Sequence, residues 1–274
     1  MEGSILKRFP CVEDKVFLVT GGAAGVGAGI VRALLIENAR HVAFLDVLER
    51  EGSTLEYELL TKFGGLRAKF IQCDISDEKQ LTDAYNQVLD KYRRLDGVIN
   101  NAAVVSTNEN LYKRMVDINF TAVVNSTNKA FQYMGLENGG CGGVVVNISS
   151  LLALNINTHL PVYAATKTAV LQYSVTMGSE EMFSKSGVRV LTVCLGPTDT
   201  AILIRKNLEE TDSEERLVSR VPVRQRVSSA VTGILTVIER GKSGSTWIVK
   251  NDQPAFEYSD HVTKAFKVLS ETYM

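Results

Sequence analysis

Two patterns of hydrophobic and polar positions alternate along the 274-residue chain. Short runs of β-branched and apolar residues, among them Val-Phe-Leu-Val and Val-Val-Val, are separated by longer segments in which apolar residues recur at helical spacing. The short runs predict strands at residues 15–20, 41–46, 69–74, 97–101, 142–149, 189–195 and 245–249. The longer segments predict helices at residues 25–38, 55–63, 77–91, 111–133 and 163–182.

Strands that alternate with helices are typical of a parallel sheet, which is covered by helices on both faces. The nearly continuous apolar character of the strands agrees with such covering. We therefore predict an α/β fold with a doubly wound, parallel, seven-stranded sheet in a single domain at residues 15–274, preceded by an N-terminal extension at residues 1–14. Residues 200–226 interrupt the rhythm, and we predict that they form a lid over a substrate.

The charge balance narrows the range of partners. Lys and Arg number 30 and Asp and Glu number 31, so the net charge of −1 gives no global attraction to nucleic acid or to an anionic membrane. Residues 1–14 contain no apolar run of signal-peptide length, and we expect a cytoplasmic protein whose partner is a small molecule. The four cysteines form no C-x-x-C pair, which favours reduced, buried thiols, and three scattered histidines argue against a metal site.

A glycine-rich turn joins the first predicted strand to the first helix. It contains Gly21, Gly25 and Gly27 in the spacing G-x-x-x-G-x-G. At this junction of a Rossmann-type fold, glycines let the backbone approach a pyrophosphate, and the helix N-terminus offers N–H groups and a positive dipole end. A glycine run of this kind also occurs in an ordinary tight turn, so its position in the chain is what favours dinucleotide binding.

Asp46 ends the second predicted strand, 19 residues after Gly27. An acidic side chain here can accept hydrogen bonds from the ribose hydroxyls of an adenosine, whereas it repels a 2′-phosphate. Arg50 lies nearby, but nothing basic occupies the two positions after Asp46, so we predict NAD rather than NADP. The alternative is a carboxylate that caps a turn.

The next two strands also end in polar residues. Asp74 follows the third strand, and Asn101 and Ala102 follow the fourth. Because ligands of doubly wound sheets bind at the carboxyl ends of the strands, we predict that these residues contact the cofactor. Asp74 is also compatible with capping the following helix, and asparagine is common in turns.

The spacing of Ser150, Tyr163 and Lys167 predicts the chemistry. A helix that begins near Tyr163 places Lys167 on the same face one turn later. A cation about 4 Å from the phenol, at an effective dielectric of about 20, favours the phenolate by roughly 4 kcal/mol, or about three pKa units. Tyr163 can then accept an alcohol proton while hydride leaves the carbinol carbon, and Ser150 holds the substrate oxygen. The alternative is a surface Tyr-Lys pair, which is common on helices.

Taken in order, these residues resemble the short-chain dehydrogenase/reductase family from about residue 15 to residue 250. They are most similar to its branch of NAD-dependent prostaglandin dehydrogenases and insect alcohol (farnesol) dehydrogenases. The resemblance implies a fourth catalytic residue, Asn119, which holds a water relay to Lys167, and a homodimer or homotetramer built from helices 111–133 and 163–182. It also implies further cofactor contacts at Val26, Cys73, Ile75, Tyr163, Lys167, Pro197, Thr198 and Thr200.

The sequence departs from the family near both ligands. Leu195-Gly196 stands where the family usually has Pro-Gly, and Leu160 stands where prostaglandin dehydrogenases carry a substrate-contacting glutamine three residues before the catalytic tyrosine. Leu152, Leu160 and Ile202, with Ser150 and Tyr163, are therefore predicted to line an apolar substrate site. We expect a hydrophobic alcohol, such as an isoprenoid like farnesol or another long-chain lipid alcohol. A 15-hydroxyprostaglandin-type dehydrogenase, an NADP-dependent carbonyl reductase and a non-catalytic NAD-binding sensor or scaffold are the alternatives.

Overall fold

The computed structural model describes residue 9, residues 11–200 and residues 223–271. Its strands are β1 (Val16–Thr20), β2 (His41–Asp46), β3 (Ala68–Gln72), β4 (Gly97–Asn100), β5 (Gly143–Ser150), β6 (Val188–Leu195), β7 (Thr246–Val249) and β8 (Phe256–Glu257). Its α-helices are α1 (Gly25–Ile36), α2 (Glu49–Phe63), α3 (Glu78–Tyr92), α4 (Tyr112–Val116), α5 (Ala122–Met134), α6 (Pro161–Met177), α7 (Glu180–Ser186), α8 (Val227–Arg240) and α9 (Ser259–Ser270). A π-helical turn (Asp117–Thr121) joins α4 to α5.

The strands form one sheet in the order β3-β2-β1-β4-β5-β6-β7-β8. The first seven strands are parallel, which confirms the predicted α/β doubly wound sheet. An eighth strand of two residues pairs antiparallel with β7 and was not predicted, because so short a run carries no pattern. Chain order reverses between β1 and β4, which is the point where doubly wound sheets bind their ligands.

Helix α2 and the helix predicted at residues 163–182 differ from the prediction for reasons that the structure shows, and the helix predicted at residues 111–133 is divided into α4, the π-helical turn and α5. Helix α2 begins at Glu49 rather than at residue 55, because its polar first turn shows no apolar period and carries acidic residues that suit a helix N-terminus. The helix predicted at residues 163–182 ends at Met177, and α7 follows it. A side chain at Gly178 would lie 2.3 Å from the backbone nitrogen of Gly244, so the chain requires glycine between the two helices.

Apolar side chains fill a core on each face of the sheet. One core packs α1 and α8 against the sheet, and the other packs α3 and α5 against the opposite face. Phe9 and Val12 belong to the first core, so the described part of the predicted N-terminal extension packs onto the domain. Trp247 is also buried in this first core. No helix among the described residues is long and apolar enough to cross a membrane.

The four cysteines are free thiols, but they do not share one environment. Cys73 and Cys194 are buried, and burial raises the pKa of each to about 12. Cys11 is half-buried and Cys141 is exposed, so the prediction of buried thiols is wrong for Cys141. Cys141 precedes the glycines that lead into β5, where the chain turns at the surface.

Candidate active site

The glycine-rich turn between β1 and α1 has a backbone that only glycine adopts easily. Gly21 and Gly25 have φ angles of +63° and +54°. A Cβ at Gly27 would lie 1.9 Å from the carbonyl oxygen of Gly21. Ala24, at the N-cap of α1, offers no side-chain hydrogen bond, and Val26 in the first turn is buried. The N–H groups at this helix end are therefore available to an anion, and the turn fits the pyrophosphate of a dinucleotide.

The end of β4 holds this turn in place. The side-chain amide of Asn101 donates to the carbonyls of Thr20 and Gly21, both at 3.1 Å. The Thr20 hydroxyl accepts from the backbone N–H groups of Asn101 and Ala102, also at 3.1 Å. A Cβ at Gly21 would lie 2.8 Å from the Cα of Ala102, so a small residue is needed there. Asn101 and Ala102, which the sequence predicts as cofactor contacts, thus shape the glycine turn itself.

Asp46 lies beside the same turn. Its Oδ2 accepts a hydrogen bond from the Ala23 backbone at 3.0 Å, and its Oδ1 accepts from the Leu48 backbone at 3.2 Å. Asp46 therefore caps a turn, as the alternative interpretation predicts. Its half-buried carboxylate lies against the glycine turn. A carboxylate in this place is positioned to meet the ribose of a dinucleotide whose pyrophosphate lies on α1.

Asp74, at the end of β3, does not cap α3. Its Oδ1 accepts from the backbone N–H and the hydroxyl of Ser76, at 3.0 and 2.6 Å, and Asp77 is the residue that caps the helix. The alternative role of Asp74 as the helix cap is therefore wrong. Cys73 and Ile75, on either side of Asp74, have buried side chains. We therefore expect both residues to contact a cofactor through their main chain.

The catalytic candidates come from β5 and α6. Ser150 ends β5, and its hydroxyl accepts from the Leu152 backbone at 3.2 Å. Pro161 begins α6 because its fixed φ suits the first helical position, and this places Tyr163 in the first turn. Lys167 is 2% exposed, and its Nζ lies 5.8 Å from the centre of the Tyr163 ring. The structure thus brings the three predicted residues together.

Burial is the largest influence on the pKa values of Tyr163 and Lys167. Desolvation raises the pKa of Tyr163 to about 12, although a hydrogen bond with Ser150 acts in the opposite direction. Desolvation lowers the pKa of Lys167 to about 8. The pKa of the phenol is therefore raised rather than lowered as the spacing of Tyr163 and Lys167 predicts, since the sequence shows the charge but not its burial.

Hydrogen bonds across the seam between β5 and α6 fix the catalytic residues relative to one another. The Lys167 ammonium donates to the carbonyl of Ile148 at 2.9 Å, and the Ser149 hydroxyl donates to the carbonyl of Lys167 at 2.7 Å. Further along, the Asn147 amide donates to the Ser174 hydroxyl at 2.9 Å. Sequence reasoning missed these partners, and only the polar character of Asn147 within a buried strand signals one of them.

Asn119 is fully buried in the π-helical turn, so its side chain is not a solvated surface group. Its side-chain amide accepts from the N–H of Val104 and donates to the carbonyl of Val104, both at 2.8 Å. The amide nitrogen also lies 3.4 Å from the Thr166 hydroxyl on α6. The side chain therefore ties the loop after β4 to the helix that carries Tyr163. The water relay to Lys167 stays a prediction.

The loop after β6 approaches the glycine turn from the other side. The Thr200 side chain lies 3.2 Å from the place of a Cβ at Gly25. The Thr198 hydroxyl is buried and donates to the carbonyl of Gly196 at 3.0 Å. We therefore expect Thr198 to contact a cofactor through its main chain. The neighbouring Pro197 is half-buried.

An apolar cluster surrounds Tyr163. Val105 and Leu160 are each 7% exposed, and they pack with Leu152 and the Tyr163 ring. Val105 lies in the loop after β4, where the sequence gives no reason to select it. Ile202 and most of the predicted lid lie outside the described residues.

Comparison with known protein families identifies the family to which the chain belongs. Residues 15–211 match the model of the family described as short chain dehydrogenase. The chain belongs to the short-chain dehydrogenase family, which makes it an oxidoreductase and confirms the resemblance seen in the motifs.

Individual relatives and solved structures are also similar to the chain. The chain is 30% identical over 272 residues to the 15-hydroxyprostaglandin dehydrogenase [NAD(+)] of Homo sapiens, covering 95% of this chain and 99% of the relative. It is 36% identical over 206 residues to that of Rattus norvegicus, covering 75% and 74%. Levodione reductase matches with a TM-score of 0.76 at 19% identity, over 87% of this chain and 97% of the other. A 3-ketoacyl-(acyl-carrier-protein) reductase from Brucella melitensis complexed with NADH matches with a TM-score of 0.74 at 20% identity, over 87% and 97%, and these two structures show the shared fold.

Proposed function

We propose that the protein is an NAD-dependent alcohol dehydrogenase that oxidises a hydrophobic alcohol, such as farnesol or another long-chain lipid alcohol, to the carbonyl. The observation that carries the proposal is that Ser150 lies close to Tyr163 and Lys167 at the carboxyl edge of the parallel sheet, the edge that also carries the glycine turn. The names of the relatives, 15-hydroxyprostaglandin dehydrogenase [NAD(+)], support NAD-dependent oxidation of a hydroxyl group.

The residues that would hold NAD lie along the carboxyl edge of the sheet. The glycine turn and the N-terminus of α1 would bind the pyrophosphate, Asp46 would bind the adenosine ribose, and the loop at Thr198 and Thr200 would border the nicotinamide. When bound, NAD supplies the oxidised nicotinamide ring that accepts the hydride.

The side chains divide the remaining work. Ser150 donates a hydrogen bond to the substrate oxygen, and Tyr163 accepts the hydroxyl proton as the carbinol carbon loses hydride, so that the alcohol becomes a carbonyl. The Lys167 ammonium stabilises the negative charge of the phenolate, and its bond to the Ile148 carbonyl keeps it beside the ring. The apolar residues around Tyr163 exclude water from the reacting groups.

Oxidation is expected to accelerate with pH. Tyr163 must lose its proton before it can accept another, and burial raises its pKa to about 12, so the active phenolate becomes more abundant as the pH rises. We expect kcat/KM for the alcohol to increase from about pH 6 to about pH 8, since above that pH the Lys167 ammonium, whose pKa burial lowers to about 8, loses the charge that stabilises the phenolate. Reduction of the corresponding carbonyl needs the protonated phenol and serves as the control, because its rate should not rise over this range. An oxidation rate that is flat or falls with pH would contradict the role of Tyr163 as base.

The charge of Asp46 is expected to set the choice of cofactor. A 2′-phosphate near this carboxylate should weaken NADP relative to NAD by about 100-fold or more, which corresponds to about 3 kcal/mol. Asp46→Asn keeps an oxygen that accepts from the Ala23 backbone but removes the charge, and should reduce the preference for NAD by about tenfold. Dissociation constants of both dinucleotides for the two proteins test this. An equal preference for NAD and NADP in the unmodified protein would favour the carbonyl reductase alternative.

The apolar surroundings of Tyr163 favour a hydrophobic substrate. For a series of primary alcohols at saturating NAD, kcat/KM should rise by about two- to fourfold per added methylene until the site is filled. Farnesol should then be among the best substrates. A preference for short polar alcohols would contradict the proposal that the substrate is a lipid alcohol. NAD binding without turnover of any alcohol would favour a sensor or scaffold.

A second candidate is a 15-hydroxyprostaglandin dehydrogenase, which the relatives favour. Leu160 argues for the first candidate, because this buried aliphatic side chain beside Tyr163 has no polar group to offer a prostaglandin hydroxyl. A prostaglandin included in the alcohol series discriminates between the two.

A further inference from the structure

Gln225 joins two strand ends at the edge of the candidate cofactor site. It lies just before α8 and is 1% exposed. Its side-chain Nε2 donates to the carbonyls of Gly196 and Val249, at 3.3 and 3.1 Å, and to the Thr198 hydroxyl at 3.1 Å. One buried amide therefore fastens the loop after β6 to the end of β7.

The main chain of Gln225 reinforces this link. Its N–H donates to the carbonyl of Pro197, and its carbonyl accepts from the N–H of Asp199, both at 2.9 Å. These two bonds form a parallel bridge around Thr198, whose own N–H and carbonyl must point to the opposite side. The Thr198 hydroxyl is occupied by Gly196 and Gln225, so only the main chain of Thr198, whose carbonyl lies 3.4 Å from the Thr200 hydroxyl, is left on that opposite side.

The same loop controls the distance to the glycine turn. Thr200 follows Thr198 by two residues, and its side chain lies 3.2 Å from the place of a Cβ at Gly25. A shift of the loop at Thr198 would therefore move Thr200 relative to the turn that fits the pyrophosphate. Gln225, which lies 27 residues after Thr198 in the chain, holds Thr198 directly, and the Thr200 hydroxyl in turn lies 3.4 Å from the Thr198 carbonyl.

The amide of Gln225 is only partly satisfied by hydrogen bonds. Among the described residues, its Oε1 has no hydrogen-bond partner despite its burial. An unpaired buried oxygen destabilises the folded protein. Rotating the amide by 180° would place this oxygen against the carbonyls of Gly196 and Val249, so the three donated bonds fix its orientation.

We propose that Gln225 is a positioning residue for NAD: it holds the loop after β6 so that the Thr198 main chain and the Thr200 side chain are preset at the nicotinamide end of the site. The proposal rests on the proposed NAD-dependent function. Gln225 acts through this loop rather than by touching the substrate, so its loss should weaken the cofactor and leave the alcohol site unchanged.

The test compares Gln225→Met, which keeps the length of the side chain but removes the amide, with Gln253→Met at an exposed position in the turn after β7. Titration with NADH, followed by its fluorescence, should show a dissociation constant raised about tenfold for Gln225→Met and unchanged for Gln253→Met. The KM for NAD should rise in parallel, whereas the KM for the alcohol should stay constant. The thermal unfolding midpoint without cofactor reports separately on any loss of stability.

Thr198→Val provides a second route to the same link, because it removes the hydroxyl that accepts from Gln225 and leaves the main chain intact. It should also weaken NADH, and adding Gln225→Met to it should cost less than the two single effects combined. If Gln225→Met does not fold, Thr198→Val alone decides. NADH affinity within about twofold of the unmodified protein in these variants would overturn the proposal. If the unmodified protein itself binds no NADH, the proposed function fails, and this inference fails with it.

Discussion

Replacing Tyr163 with phenylalanine is expected to lower kcat for alcohol oxidation by at least about 1,000-fold, while the affinity for NAD changes by less than about threefold. The substitution removes the oxygen that accepts the alcohol proton but keeps the ring that packs against Val105 and Leu160. Steady-state kinetics at saturating NAD, together with NADH titration, measure the two effects separately.

Tyr173→Phe is the matched control for this substitution. Tyr173 lies on the same helix, but its hydroxyl lies 3.0 Å from the Asn128 side chain, and the residue is not part of the apolar cluster around Tyr163. The control variant should retain nearly full activity. Retention of more than about a tenth of kcat by Tyr163→Phe would remove Tyr163 from the role of general base.

Gly27→Ala is expected to abolish tight NAD binding, with an affinity loss of about 100-fold or more. The added Cβ would lie 1.9 Å from the carbonyl oxygen of Gly21 and 2.7 Å from the Asn101 amide nitrogen. A Cβ cannot rotate away from a backbone atom, so the glycine turn must move. Its displacement disturbs the N–H groups that would receive the pyrophosphate.

Gly65→Ala is the control, because its Cβ would meet only the Leu60 side chain at 3.7 Å, an ordinary contact distance. NADH titration and the thermal unfolding midpoint should both be close to those of the unmodified protein. If Gly27→Ala binds NADH as tightly as Gly65→Ala does, the glycine turn is not the pyrophosphate site.

The parallel sheet was predictable because its strands are apolar on both faces. The predicted and observed bounds of the seven parallel strands differ by two residues at most, and β2 agrees at both ends. Helix α8 also has a clear stripe of buried residues at helical spacing, which includes Ala230, Ile234 and Ile238, although no helix was predicted there. Helix α9 has only Val262 buried, so its sequence carries little signal.

The candidate site was predictable where chemistry depends on side chains at short spacing. Ser150, Tyr163 and Lys167 span 18 residues and lie on strand β5 and helix α6. Their order in the sequence therefore predicts that they lie close together. The bond between Lys167 and the Ile148 carbonyl involves a backbone group, which no side-chain pattern reveals. Gln225 reaches Gly196 across 29 residues, and only the folded chain shows that contact.

The sequence also shows where charges are but not how deeply they lie. The spacing of Tyr163 and Lys167 indicates a cation beside a phenol, which by itself lowers the pKa of the phenol. In the structure, burial raises the pKa of Tyr163 and lowers that of Lys167. The two residues therefore need additional positive charge near the phenol to reach the phenolate at neutral pH, and an oxidised nicotinamide carries such a charge.

Transfer of a deuterium label tests the central claim most directly. A long-chain alcohol deuterated at its carbinol carbon is incubated with NAD and the protein, and the reduced cofactor is examined by mass spectrometry. Hydride transfer predicts one deuterium in each molecule of NADH formed, together with the carbonyl product, and almost no product with Tyr163→Phe. NAD that binds to the protein but acquires no deuterium from this or any other labelled alcohol would contradict a dehydrogenase function.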